Sequence, residues 1–209
     1  MKMSSSGFAP RRRQGGFIQG AILFALVIIA VVVAAFSLAN RDSQNNADSE
    51  QAKVNSTFIL KVGNDLQSAV NRAIADGANP ATINTSIKFT GTSDGTALNL
   101  FDETLRYLTR PNFPATALQA PGTAVAFSFA TPAAVGGVGG SGTEQIIQFD
   151  NLAQDVCVRI NATVNGTLVT ATPPATVTAA LALTPAWREG CFGAGTAFSY
   201  FRVVVTDAA

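Results

Sequence analysis

Histidine is absent from the 209-residue chain, cysteine and methionine occur twice each, tryptophan once, and only 13% of the residues are charged. Without histidine there is no Ser-His-Asp triad and no Cys-His pair. Two cysteines with scattered carboxylates barely furnish a zinc site. Fourteen Lys+Arg against thirteen Asp+Glu leave a net charge of +1, which gives no basic footprint for nucleic acid. Weak charge combined with 47% apolar residues also excludes intrinsic disorder, which needs low hydrophobicity and strong net charge. These absences point away from an enzyme: no catalytic residue, metal ligand or cofactor is expected. The length suits one domain with an appendage.

What the chain has in excess is a long apolar run. Residues 17–39, FIQGAILFALVIIAVVVAAFSLA, carry no charge and only Gln19 and Ser37 as polar side chains. As a helix this run covers roughly 34 Å, enough for a hydrocarbon core of about 30 Å, whereas the apolar core of a secretory signal is usually about 7–15 residues. A transmembrane helix is therefore expected. Lys2 and Arg11, Arg12 and Arg13 precede it and only Arg41 follows closely, so the positive-inside rule keeps residues 1–16 in the cytoplasm and exports everything after Asn40. Cys157 and Cys191 then both lie in the exported part, where an oxidising compartment would let them pair. A bridge between them would stabilise the fold by about 3–4 kcal/mol in the chain-entropy picture; the alternative is two buried thiols.

Residues 40–53, NRDSQNNADSEQAK, are polar and lack Pro and Gly, so they can continue the helix or act as a tether. Val54, Phe58, Val62, Leu66, Val70 and Ile74, flanked by Ile59, Ala69 and Ala73, follow helical spacing and predict an amphipathic helix. It should stop at Asp76-Gly77, with Pro80 barring continuation. Read as one element, Phe17 to about Asp76 would be a helix of roughly 90 Å. Beyond Pro80 the composition turns to Thr, Ala, Gly, Phe and Val with frequent turn signals, as expected of strands and loops. Residues 124–129 and 198–205 are the best strands. Residues 152–164 fit a strand ending in an Asn165-Gly166 hairpin turn and fit a helix equally well, while Leu100–Leu108 suggests a helical turn. The expected fold class is α+β: a long N-terminal helix, transmembrane in its first half and amphipathic in its second, packed on a small antiparallel sheet. The domain reading is a basic leader (1–16), a span (17–39), a polar then amphipathic helix (40–76) and an exported globular part (77–209).

The leader ending in Arg13-Gln14-Gly15-Gly16, followed directly by Phe17 and the uncharged run, resembles a type IV prepilin. The resemblance implies cleavage between Gly16 and Phe17 by a prepilin peptidase, a Phe17 N-terminus that is often methylated, and assembly through the N-terminal helix with other pilin-like subunits into a pilus or pseudopilus. It places the protein in the inner membrane with its C-terminal domain in the periplasm, or in an extracellular filament. It also implies a pilin-like fold with a C-terminal disulfide loop, for which Cys157 and Cys191 would serve. More narrowly, Val156-Cys157 with Ile160-Asn161, then Glu189-Gly190-Cys191 and the closing residues 198–205, is similar to uncharacterised alphaproteobacterial pilin-like proteins, in which the first of these segments tends to be helical. One position departs from the family: most pilins carry Glu at the fifth mature residue to neutralise a neighbouring subunit's amine, and here it is Ala21. Cutting after Gly15 would put Gly20 there instead. The chain then enters a filament where no such pairing is required, or Gln19 accepts a hydrogen bond from the amine at lower strength than a carboxylate. Gly20 and Ala21 also allow close helix approach. The rival reading is an uncleaved, single-span membrane protein whose periplasmic domain binds a partner.

The remaining motifs carry little chemistry. Residues 137–142 match G-x-G-x-x-G, but no βαβ unit surrounds them and the setting is low-complexity, as in a surface loop. Adjacent Asp102 and Glu103 are expected to point apart into solvent. Asn55, Asn84, Asn161 and Asn165 each open an N-x-S/T triplet, frequent by chance in a Thr-rich chain. Trp187 beside Arg188 reads as a core or rim aromatic, with an exposed binding spot as the alternative.

Overall fold

The computed structural model describes residues 16–91, 97–102, 104, 107–135 and 143–208, with the side chains of 16–28, 31–46 and 206–208 set aside. The chain divides into two compact units, Met1–Ala47 and Asp48–Ala209. Helix α1 (Gly16–Ala75) contributes to both, and its backbone is helical through the polar stretch 40–53. In the first unit the side chains of the expected span 17–39, Ile29 and Ala30 apart, lie outside the described residues. Among the described residues no helix is long and apolar enough to cross a membrane.

In the second unit α1 buries Ala52, Ile59, Val62, Leu66, Ala69, Val70 and Ala73. Val54, expected on this face, is 63% exposed. The reason is geometric: steps of four residues overshoot a full turn by about 40°, so a six-member series winds off the stripe at its ends. Ala52, Asn55 and Ser56 take the buried positions instead. The helix stops as expected. Gly77 has φ +110°, and the bonds Ala78 N–H to Ala73 C=O (2.9 Å) and Gly77 N–H to Ile74 C=O (3.0 Å) make a Schellman cap.

Beyond a 3-10 turn at Pro80–Thr82, a short helix α2 (Ile83–Ser86) leads into β1 (Ile87–Lys88), which pairs in parallel with β2 (Leu98–Asn99). The residues described within 100–108 form turns rather than a helix, closed by Leu108 N–H donating to Leu100 C=O at 3.0 Å. The main sheet is antiparallel, in the order β3 (Phe127–Phe129), β4 (Thr143–Leu152), β6 (Ala197–Ala208), β5 (Glu189–Ala194). Helix α3 (Gln154–Asn165) follows β4, and α4 (Val177–Leu181) precedes β5. The second unit is thus α+β with a small antiparallel sheet.

Alternation along β4 and β6 sends successive residues to opposite faces. Ile147, Phe149, Phe198 and Tyr200 enter the larger core with α1 and α3; Ile146, Phe201 and Val203 enter a smaller one with Ala180 and Leu181 of α4. An aromatic cluster fills the larger core, with Phe127 against Phe149 (5.4 Å between centroids) and Phe149 stacked on Tyr200 (4.8 Å). The Arg110 guanidinium caps it, 5.2 Å over Phe101 and 5.4 Å over Phe127.

Candidate functional site: the disulfide-closed segment

The ambiguous stretch 152–164 divides between two elements, Leu152 ending β4 and residues 154–164 lying in α3. Helical geometry gathers Val156, Cys157, Ile160 and Asn161 on one buried face, whereas a strand would turn Cys157 and Asn161 away from Val156 and Ile160. Asp155 in the first turn suits the helix N-terminus. Gly166, with φ +65°, is a left-handed C-cap and not half of a hairpin turn.

Cys157 and Cys191 form a disulfide between α3 and β5, both fully buried. Around it α3 ties itself to the outer edge of β5. The Asn161 carboxamide donates from Nδ2 to the Cys191 carbonyl (2.9 Å) and accepts from the Cys191 N–H at Oδ1 (2.7 Å), as a neighbouring strand would. One turn on, Asn165 Nδ2 donates to the Glu189 carbonyl at 2.9 Å. Two residues beyond Cys191, Gly193 N–H donates to the Pro174 carbonyl at 2.8 Å. This close approach leaves little room for a side chain between the two ties: a Cβ on Gly190 would lie 3.0 Å from Asn161 Oδ1 and Asn165 Nδ2, and 3.1 Å from the Trp187 ring, so these neighbours would have to yield. Asn161 and Asn165, met in the sequence as openers of N-x-S/T triplets, are structural ties; Asn55 similarly donates to Thr116 Oγ1 at 3.2 Å. Asn84 is exposed.

The same strand pair connects to α1. Arg202 meets Glu189 at 2.9 Å and donates from Nε to Gln67 Oε1 at 2.9 Å. The Tyr200 hydroxyl donates to the same Glu189 oxygen. Burial, then the adjacent Glu189 charge, holds the Tyr200 phenol well above its usual range. Its ring passes so close to α1 that a Cβ on Gly63 would fall 1.8 Å from the Tyr200 oxygen. None of Gln67, Glu189 and Arg202 stands out by sequence, because single polar residues in apolar strands and helices signal no partner.

Residues 157–191 also enclose a cleft of about 680 Å³ between the end of α3 and the 183–189 segment, lined by Val164, Leu183, Pro185, Trp187 and Arg188 among others. Trp187 is half-buried against the smaller core, so it is a rim aromatic that also faces this cleft. Such a volume lies within the range of binding clefts, about 300–1,000 Å³. Among the described residues no three His, Cys, Asp or Glu side chains are grouped to hold a metal.

Of the expected assembly and processing residues, Gly16, Phe17, Gln19, Gly20 and Ala21 have helical backbone in the first unit, with side chains outside the described residues. The structure places the cysteine pair in the second unit. Glu103 and the glycine-rich 137–142 lie outside the described residues. The chain matches no protein-family description, no curated protein and no solved structure.

Proposed function

We propose that the protein is a type IV pilin-like structural subunit: made as a prepilin, cleaved between Gly16 and Phe17 by a prepilin peptidase, and assembled through its N-terminal helix with other pilin-like subunits into a pilus or pseudopilus. The observation that carries this reading is one helix, α1, in which an uncharged apolar run directly after Arg13-Gln14-Gly15-Gly16 passes into a stripe packed on a disulfide-bonded α+β unit. A protein so built has no use for catalytic groups; its chemistry is association. In the membrane the apolar run sits in lipid, and in a filament the same run exchanges lipid for neighbouring helices, where Gly20 and Ala21 permit close approach. With Ala21 in the fifth mature position, Gln19 is left as the polar group to receive a neighbour's amine.

The test is mass spectrometry of the N-terminus in cells with an active prepilin peptidase. A mature chain beginning at Phe17, methylated or not, is the expected result; a chain beginning at Met1 overturns it. That second result would favour an uncleaved, single-span protein whose periplasmic domain binds a partner, a reading to which the 680 Å³ cleft lends a place for the partner to sit.

A further inference from the structure

Asn165-Gly166 is the one Asn-Gly pair in the sequence, and it closes α3 at the edge where that helix is tied to β5. Asparagine before glycine is the pair most prone to cyclise, because no Cβ shields the following nitrogen and glycine turns freely. In the folded chain two features oppose the reaction. Asn165 is the last helical residue of α3, and the α conformation holds the Gly166 nitrogen away from the Asn165 Cγ. The nitrogen that would leave, Nδ2, donates to the Glu189 carbonyl at 2.9 Å. Access is no barrier: Gly166 is exposed, and half-buried Asn165 lines the cleft, so water and hydroxide reach both. What keeps Asn165 in place is the closed edge itself, since the Cys157–Cys191 bridge and the paired bonds between Asn161 and Cys191 lie on the two preceding turns of α3.

We propose that Asn165 is a self-modifying site: an asparagine while the α3–β5 edge is closed, and an aspartate or isoaspartate once that edge has opened. On opening, the Gly166 N–H gives its proton to hydroxide and the nitrogen attacks Asn165 Cγ. The new C–N bond displaces Nδ2, which takes up a proton from water and leaves as ammonia. Water then opens the succinimide at either carbonyl. One product is aspartate; the other is isoaspartate, with the main chain rerouted through the former side chain. Nothing is oxidised or reduced. Neither product has an Nδ2 donor for Glu189, and the aspartate sets a carboxylate against that carbonyl instead. The edge cannot close again with its full set of bonds, so an opening leaves a permanent mark on the chain. This holds however the N-terminus is processed.

The test follows the full-length chain in detergent and mildly alkaline heavy-oxygen water, by mass spectrometry of the peptide that contains residues 165–166. The native protein should convert at least about a hundredfold more slowly than the chain unfolded in urea, because the rate follows the population of the open edge. As urea rises toward the transition, conversion should quicken together with hydrogen exchange of α3 while residues 59–73 of α1 stay protected. Asn161→Ala, which keeps the disulfide, should move that onset to lower urea. Equal rates in native and unfolded chains, conversion that waits for residues 59–73 to lose protection, or none at Asn165 in the unfolded chain overturns the proposal.

Discussion

Two helices pack into the same core of the second unit by different chemistries. α1 is held chiefly by breadth, a stripe of aliphatic residues against the sheet with a few polar ties such as Arg202 to Gln67. α3 is held by specificity, one covalent bond and two carboxamides that mimic a missing strand. Breadth is tolerant of any single loss except a deep one, whereas a few directed bonds on buried backbone leave unsatisfied donors and acceptors when broken. The difference teaches which helix can be detached by chemistry and which only by cavities.

The largest effect should come from α1. Leu66 is fully buried, and Leu66→Ala should destabilise the protein by about 3–5 kcal/mol, read as a lower denaturation midpoint of the full chain in detergent. Next comes the bridge: the paired change Cys157→Ala with Cys191→Ala should cost about 3–4 kcal/mol. Hydrogen exchange should then quicken in α3 and β5 while residues 59–73 of α1 keep their protection; uniform loss over both helices would erase the contrast. Asn161→Ala should cost about 2–3 kcal/mol, because it strands a buried N–H and C=O of Cys191 with the disulfide still in place.

The smallest effect lies at the end of α1 and appears only in alkali. The Tyr107 hydroxyl donates to Asp76 at 2.7 Å, and burial, then that bond, pushes its pKa up to about 12 from 10.0. The protonated phenol is the form the fold favours. Its contribution is therefore complete below about pH 10 and is lost as pH rises toward about 12. Tyr107→Phe should flatten stability against pH in that window without altering α3, measured by denaturation at a series of alkaline pH values.

The contrast also explains what could be read from the amino acids alone. α1 from Ile59 to Ala73 announces itself because burial repeats with the helical period, and Asp76-Gly77 ends it by a cap visible as a dipeptide. β6 is visible as an aromatic and β-branched run. β4 carries no strand signal, although it is a central strand of the sheet: its Thr-Glu-Gln-Ile-Ile-Gln-Phe-Asp-Asn-Leu has polar residues on both faces, and two of them, Glu144 and Gln145, are buried against what hydropathy suggests. Glu144, for example, is fully buried and accepts from Val135 N–H at 2.7 Å. Residues 154–164 satisfied both periods on their aliphatic positions, and the deciding facts, the pairing of Cys157 and the bonds of Asn161, are tertiary. The cleft likewise needs α3 and residues 183–189 brought together across some twenty intervening residues. The junction proposed between Gly16 and Phe17 is legible only as a resemblance, since its meaning would lie in a peptidase and not in this chain's own packing.

Asparagine side chains and a proline carbonyl occupy the outer margin of β5 where an intruding strand would otherwise lie down. Two copies that meet therefore cannot zip together through that rim into ladders of indefinite length. Encounters on this flank are left to side chains, which can be told apart, and not to main chain, which cannot.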